Sequence, residues 1–406
     1  MRVLKSKLYH MMVTARAEKL SDIKGEHKTA AWGNQIRSYV LHPYKLVKDH
    51  RTDVETPDTD AVLSGDLTPF MEAYLRHDAE ERNAKLVPPP RYSSTRYLLL
   101  FMTYTKAIVT GGAGFIGSHL VDALVADGVT VTVVDKVDVL PDRKNDAATY
   151  VTMDIKDDGL RAAFADVQPD VVFHLAAHVD DRESVRQPVM NAEENVLGSL
   201  NVFEAARLAG ARKIVFTSTG VVYGNADVLP IVESAPAQPL TPYAVSKLTG
   251  ERYLNFYFSL YKLPYVALRL SNVYGPRQDG SKECGAIAIF TSRLLKGEGV
   301  QMNNDGMTTR DYVYVHDVIG ALIAAANTEE VGVINIGTGV QTTTNDVLAA
   351  VAKEVGVTPS ISERPDIVDE VKHVALDTTR AKQILNWTST TSFADGVAKT
   401  VESYRV

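Results

Sequence analysis

One cysteine in 406 residues, Cys284, leaves no partner for an internal disulfide and too few thiolates for a cysteine-based zinc site. Long apolar runs are missing too. The most suspicious, Tyr97 to Met102, is far shorter than the about 20 residues a bilayer-spanning helix needs. The N-terminus lacks the basic, apolar and small-residue order of a signal peptide, so a cytoplasmic protein is expected. Nor is there a broad excess of positive charge. Residues 1–101 carry 16 Lys and Arg against 13 Asp and Glu, and residues 102–406 carry 27 against 37. The long acidic part is thereby unsuited to nucleic acid, whose phosphates demand a basic face. What is present is ordinary for a globular chain: 45% hydrophobic residues, enough to form a core.

Pattern changes along the chain. Residues 1–77 are polar and open on an amphipathic stretch (Leu4, Leu8, Met11, Met12) that suggests a helix. Residues 78–101 combine charge with Pro88-Pro89-Pro90 and read as an extended linker. From Met102, which is itself a plausible natural start, short apolar runs alternate with helix-length amphipathic segments, the signature of an α/β domain with a parallel sheet.

The first of these units is the most informative. Lys106–Thr110 reads as a strand, followed at once by Gly111-Gly-Ala-Gly114-Phe115-Ile116-Gly117 and a helix to about Ala126; Gly128 ends it. A second strand, Val129–Val134, finishes at Asp135. Such a unit suits a dinucleotide: glycines let backbone approach the pyrophosphate at a helix N-terminus, and an acid accepts hydrogen bonds from the adenosine ribose. A carboxylate there repels a 2′-phosphate, so NAD rather than NADP is expected. Asp154 and Ile155, at the end of the next strand (Thr149–Met153), are expected beside the adenine.

A later strand, Lys213–Phe216, runs into Thr217-Ser218-Thr219, and Thr241-Pro242 opens a helix carrying Tyr243 and Lys247 on one face. A phenol of reference pKa about 10 is a poor base at neutral pH, and a nearby ammonium moves it toward the working range. The Thr219 hydroxyl is placed to relay a proton between a substrate alcohol and that phenolate. His174 and His178 have the i, i+4 spacing of metal ligands, but Val171–Phe173 makes His174 a strand-end residue, and no metal is expected.

Taken together, Thr110–Gly117, Asp135, His174-Leu-Ala176-Ala177, Thr217–Thr219, Tyr243-x-x-x-Lys247, Arg269-Leu-Ser-Asn272-Val-Tyr-Gly-Pro-Arg277 and Arg310–Asp317 resemble the ordered motifs of extended short-chain dehydrogenases, the NAD-dependent epimerase/dehydratase family. Asn335-Ile-Gly337, Arg364-Pro365 and Trp387 extend the resemblance over residues 102–406, and it is greatest to the UDP-glucose 4-epimerase branch. The resemblance implies a Rossmann-type parallel sheet with a small C-terminal substrate-binding lobe, mainly from about residues 272–300 and 335–406. It implies Thr219, Tyr243 and Lys247 as the catalytic triad. Gly111, Gly114, Phe115, Ile116, Gly117, Asp135, Asp154, Ile155, Ala176, Tyr243 and Lys247 would hold NAD. Thr219, Asn272, Arg310 and Arg364 would hold a nucleotide sugar, with Asp366 standing where relatives often have glycine after Arg-Pro. Related dehydratases place an Asp-Glu pair after the catalytic threonine, and decarboxylases a Glu nearby. Gly220-Val221 stands there instead, which favours epimerisation at C4 over dehydration or decarboxylation; a reductase of the family usually prefers NADP, which Asp135 opposes. Val374, three residues before Asp377, stands where the family sets sugar size, and implies room for an N-acetyl group. By analogy with the family a homodimer is expected.

Residues 1–77 resemble the C-terminal end of a bacterial class I peptide-chain release factor, through Trp32–Tyr39, Lys48–Thr52 and Asp60–Asp66. An α+β fragment is therefore expected there. The Gly-Gly-Gln and Ser-Pro-Phe tripeptides that carry that family's function occur nowhere in the chain. The resemblance thus leaves, as an alternative of another class, an RNA- or ribosome-binding segment.

Overall fold

The computed structural model describes residues 36–42, 44–71, 73–74, 104–281, 285–364 and 371–405. The amphipathic stretch at Leu4–Met12, the linker, Met102, Cys284 and Asp366 lie outside the described residues. Two compact units are formed, residues 1–99 and 100–406.

In the smaller unit β1 (Arg37–Val40), β2 (Leu46–Asp49) and β3 (Glu55–Thr56) form an antiparallel sheet in that order. A helix over Thr59–Leu63 follows, its first turn capped by the Asp58 carboxylate, which accepts the Ala61 N–H at 3.0 Å. The apolar centre is Val47, Val62 and Phe70. Beside it Asp49 is fully buried between Arg51 and Arg37, and the hydrogen bonds from those guanidinium groups hold its carboxyl well below the usual range.

The larger unit is built on seven strands: β4 (Lys106–Thr110), β5 (Thr130–Asp135), β6 (Thr149–Thr152), β7 (Val171–His174), β8 (Lys213–Thr219), β9 (Tyr265–Leu270) and, later in the chain, β14 (Gly332–Ile336). All pair in parallel, in the spatial order β14-β9-β8-β7-β4-β5-β6. Four of the six residues of β5 are buried and every residue of β7 and β9 is, as expected of strands covered on both faces. The helices Phe115–Ala126 and Val315–Asn327 cover one face through Leu120, Leu124, Val318 and Leu322. The helices Leu160–Val167, Gly198–Leu208 and Pro242–Tyr261 cover the other through Phe164, Val202, Phe203 and Leu254. The chain moves outward from β4 in both directions, so the C-terminal ends of β4 and β7 flank a crevice at the switch point, where ligands of such sheets bind.

The remaining strands pair only in twos. They are β10 (Asn272–Tyr274) with β13 (Tyr312–Tyr314), β11 (Val300–Asn303) with β16 (Ile361–Arg364), and β12 (Thr309–Arg310) with β15 (Thr342–Thr343). Around them the helices Ala286–Leu295, Thr344–Val355 and Phe393–Ser403 close a separate core on Ile287, Phe290, Val347, Val351 and Val397. Not everything after residue 335 joins it. Ala381, Leu385 and Trp387 pack into the core of the large sheet, and the Trp387 indole N–H donates to the Asp317 carbonyl at 2.7 Å. Among the described helices, none is long and apolar enough to cross a membrane.

Candidate active site

Beyond the end of β4 the chain turns on Gly111 (φ +75°), where a Cβ would lie 2.6 Å from the Ala176 nitrogen. A Cβ on Gly117, in the first turn of the helix Phe115–Ala126, would collide with the Gly111 carbonyl oxygen. Only glycine fits either place, and the result is a shallow backbone cradle at a helix N-terminus. Asp135, at the end of β5, faces the same turn. Its carboxylate accepts the N–H of Ala113 at 3.1 Å and of Val137 at 3.3 Å. Burial nevertheless pushes its pKa up, with the surrounding backbone N–H groups opposing. A dinucleotide fits this set: a cradle that a side chain would fill, donors for the pyrophosphate, and an acid at the ribose.

These groups open on one cavity of about 640 Å³, within the range of cofactor and ligand sites. Gly111, Gly114, Phe115, Ile116, Gly117, Asp135, Asp154, Ile155 and Ala176 all line it, as do Thr219, Tyr243 and Lys247. The structure thus brings together on one wall every cofactor and catalytic candidate named from the sequence.

The catalytic helix starts where its cap dictates. The Thr241 hydroxyl accepts the Ala244 N–H at 3.2 Å and donates to Asp181 at 2.6 Å, and Pro242 occupies the first turn. Tyr243 is half-buried on the cavity, its own N–H donating to the Ser184 hydroxyl at 3.2 Å. Lys247, one turn on, is enclosed: its ammonium donates to the Thr217 carbonyl at 2.8 Å and stands 4.7 Å above the Phe216 ring. Burial lowers its pKa to about 7, against the pull of Glu251. Thr219 ends β8, and its hydroxyl accepts the Val221 N–H at 3.3 Å. Gly220, next in line, is packed so closely that a Cβ would stand 3.2 Å from both methyl carbons of Leu376.

Sequence reading missed two supports. Glu251, one turn past Lys247, is buried; it accepts Arg269 at 2.9 and 2.7 Å and the Ser218 hydroxyl at 2.6 Å, tying the catalytic helix to β8 and β9. A charged residue inside an otherwise apolar strand, Arg269 in Tyr265–Leu270, was the available signal. The second is a π-helical turn, Glu193–Leu197, whose Asn195 donates to the Ser246 hydroxyl at 3.1 Å and to the His178 carbonyl at 2.9 Å. His174 is a core residue: its ring shares hydrogen bonds with Thr110 at 2.7 Å and Ser199 at 2.8 Å.

Among the substrate candidates, Thr219 lines the cavity, and Asn272, on β10, is flanked by the lining residues Ser271 and Val273; Arg310 lies on β12 and Arg364 on β16. The Asn272 N–H donates to the Asp311 carbonyl at 2.8 Å, and the Arg310 guanidinium donates to the carbonyls of Thr309 at 2.9 Å and Lys372 at 3.2 Å. Val374 is buried among Val222, Ile231 and Leu376. Asn272, Arg310 and Arg364 sit on three separate two-stranded ribbons, whose placement depends on long-range packing that the spacing of motifs does not encode.

Residues 107–337 match the model of the NAD dependent epimerase/dehydratase family. The UDP-glucose 4-epimerase of Mycolicibacterium smegmatis is 42% identical over 308 residues, 74% of this chain and 98% of that protein. Among solved structures, a UDP-glucose 4-epimerase of Thermotoga maritima with UDP-glucose is 40% identical, covering 74% of this chain and 98% of that one, with a TM-score of 0.72. A UDP-glucose 4-epimerase of Thermus thermophilus in complex with NAD is 38% identical over 74% of this chain and 99% of that one, with a TM-score of 0.70. With the glycine cradle, the buried lysine and the seven-stranded sheet already in place, these likenesses establish that the chain belongs to the NAD dependent epimerase/dehydratase family, as an NAD-dependent enzyme of the nucleotide-sugar epimerase type.

Proposed function

We propose that the enzyme interconverts UDP-glucose and UDP-galactose by inverting C4. The observation that carries this reading is the convergence of Thr219, Tyr243 and Lys247 on the cavity that holds the glycine cradle, with Gly220-Val221 rather than carboxylates beside Thr219. The Gly111–Gly117 turn, Asp135 and Ile155 would hold NAD, which when bound would supply reversible hydride acceptance at C4. Tyr243 takes the C4 hydroxyl proton through the Thr219 hydroxyl and gives it back when the 4-ketose is reduced on its other face. Lys247, in its protonated form, stabilises the Tyr243 phenolate. Dehydration or decarboxylation would require a further acid–base group beside Thr219, where Gly220 is packed tightly against Leu376 and carries no such group.

Asn272, Arg310 and Arg364 are proposed to meet the nucleotide sugar. A guanidinium suits a pyrophosphate, and Arg310, now bonded to backbone carbonyls, would have to exchange those bonds for phosphate. Val374 is proposed to leave room for N-acetylated hexoses. The partner in solution is proposed to be a second copy: Val245, Tyr253, Phe256 and Leu260 fall on one strip of the helix Pro242–Tyr261 and are 49%, 39%, 46% and 57% exposed. The proposed location is the cytoplasm, in keeping with a single cysteine. An RNA-binding role for residues 1–77 gains little from the described part, where Arg37, Arg51, Lys45 and Lys48 are each paired with a carboxylate of the same unit.

The test is to incubate the purified protein with UDP-galactose, and separately with UDP-N-acetylglucosamine, and follow products by NMR. UDP-glucose from the first supports 4-epimerisation, and turnover of the first alone removes the N-acetyl proposal. No product from either, with NAD supplied, overturns the reading of the reaction.

A further inference from the structure

The acid at the ribose is not the only charge around the ends of β5 and β6. Lys136 follows Asp135 directly, and both line the cavity, together with Asp154 and Glu194. Lys156 follows Asp154 by two residues. Free, Lys136 would offer a cation beside the very position where a 2′-phosphate would sit, undoing the discrimination that Asp135 provides. It is not free. Glu194, on the π-helical turn, accepts Lys136 at 2.8 Å through one carboxylate oxygen and Lys156 at 2.5 Å through the other. The carboxylate is 14% exposed, and Lys156 lies a further 3.8 Å from Asp154. Despite the opposing effect of burial, the two lysines lower the Glu194 pKa, so it is ionised at neutral pH. Among these five groups the three carboxylates outnumber the two lysines by one, Asp138 and Arg143 on the same cavity add one charge of each sign, and both ammonium groups are engaged.

We propose that Glu194 is a specificity-determining residue for the coenzyme: by engaging Lys136 and Lys156 it keeps the ribose end of the cavity closed to a 2′-phosphate, and so to NADP. The π turn has a role in this. It carries a second carboxylate, from the helical segment following β7, to the lysines at the ends of β5 and β6. The proposal rests on dinucleotide binding alone and is indifferent to which sugar is turned over.

The experiment equilibrates the full chain with equal concentrations of NAD+ and NADP+, separates bound from free, and quantifies the bound dinucleotides after denaturing extraction. In Glu194→Gln the freed Lys136 gains a charge-assisted contact, and the bound NADP+ to NAD+ ratio is expected to rise about tenfold over wild type. Lys136→Met alone should leave the ratio within about threefold, because that lysine is already engaged. Adding Lys136→Met to Glu194→Gln should cancel most of the rise. A Glu194→Gln ratio equal to wild type overturns the proposal, as does equal weakening of both dinucleotides, the mark of a merely structural clasp. So does a rise that survives removal of Lys136.

Discussion

The cavity's dinucleotide wall and the substrate lobe are built in different ways. The wall hangs from the C-terminal ends of β4, β5, β6, β7 and β8, neighbours in one continuous parallel sheet in which all but the edge strand β6 are paired on both sides. The lobe rests on three two-stranded ribbons and three helices around their own core. A group on the wall is placed by the strand beneath it. A group on a ribbon is placed by whatever packs against it, as Arg310 is by the carbonyls of Thr309 and Lys372. The difference teaches which groups are placed by a continuous sheet and which by local packing.

The severest change to the wall is Gly117→Val. No rotamer relieves the collision of its Cβ with the Gly111 carbonyl, so the cradle must open. Dinucleotide recovered by denaturing extraction is expected to fall by a factor of about 100 or more, since several charge-assisted contacts are lost together. A normal yield would mean the cradle does not hold the pyrophosphate. Tyr243→Phe keeps the wall and removes one oxygen. Its kcat is expected to drop by about 10²–10⁴ with bound NAD unchanged, the usual scale for a lost acid–base group.

Lys247 offers a test by pH. Its folded pKa, lowered to about 7 by burial, lies below the ordinary lysine value, so the unfolded chain binds more protons from about pH 7 up to that value. Burying the charged form costs stability below this window, and the cost is relieved as pH rises through it. Chemical denaturation in the absence of sugar should therefore show this contribution rising with pH, and Lys247→Met should flatten it. An unchanged slope in the variant would place the titration elsewhere. The smallest effect is expected in the lobe. Arg310→Ala should raise KM for UDP-galactose about tenfold with kcat nearly kept, as for one charge-assisted contact made equally in ground and transition states. A fall in kcat without change in KM would turn Arg310 into a residue that orders the lobe.

How much was legible follows the same division. The strand Lys106–Thr110, the glycine turn, the helix to Ala126 and Asp135 are contiguous, so local rules sufficed to place them, and the cavity receives all of them. Thr219 and Tyr243 are 24 positions apart, yet each stands at a recognisable boundary, a strand end and a capped helix start. Asn272, Arg310 and Arg364 sit on separate two-stranded ribbons, and the long-range packing that places those ribbons was out of reach of pattern. The Glu251–Arg269–Ser218 network was also hidden. It joins a helix to two strands, and only the sheet order reveals that those strands are neighbours. The same holds for Glu194, whose lysines come from two other segments of the chain.

The central claim is that hydride leaves C4 and returns to it within one closed site. The most direct measurement is to give the purified enzyme UDP-galactose carrying deuterium at C4, in ordinary water, and examine the product by NMR and mass spectrometry. The expected result is UDP-glucose that keeps its deuterium at C4. Loss of the label to solvent, or its recovery in free reduced cofactor beside a 4-keto or dehydrated sugar, would contradict it.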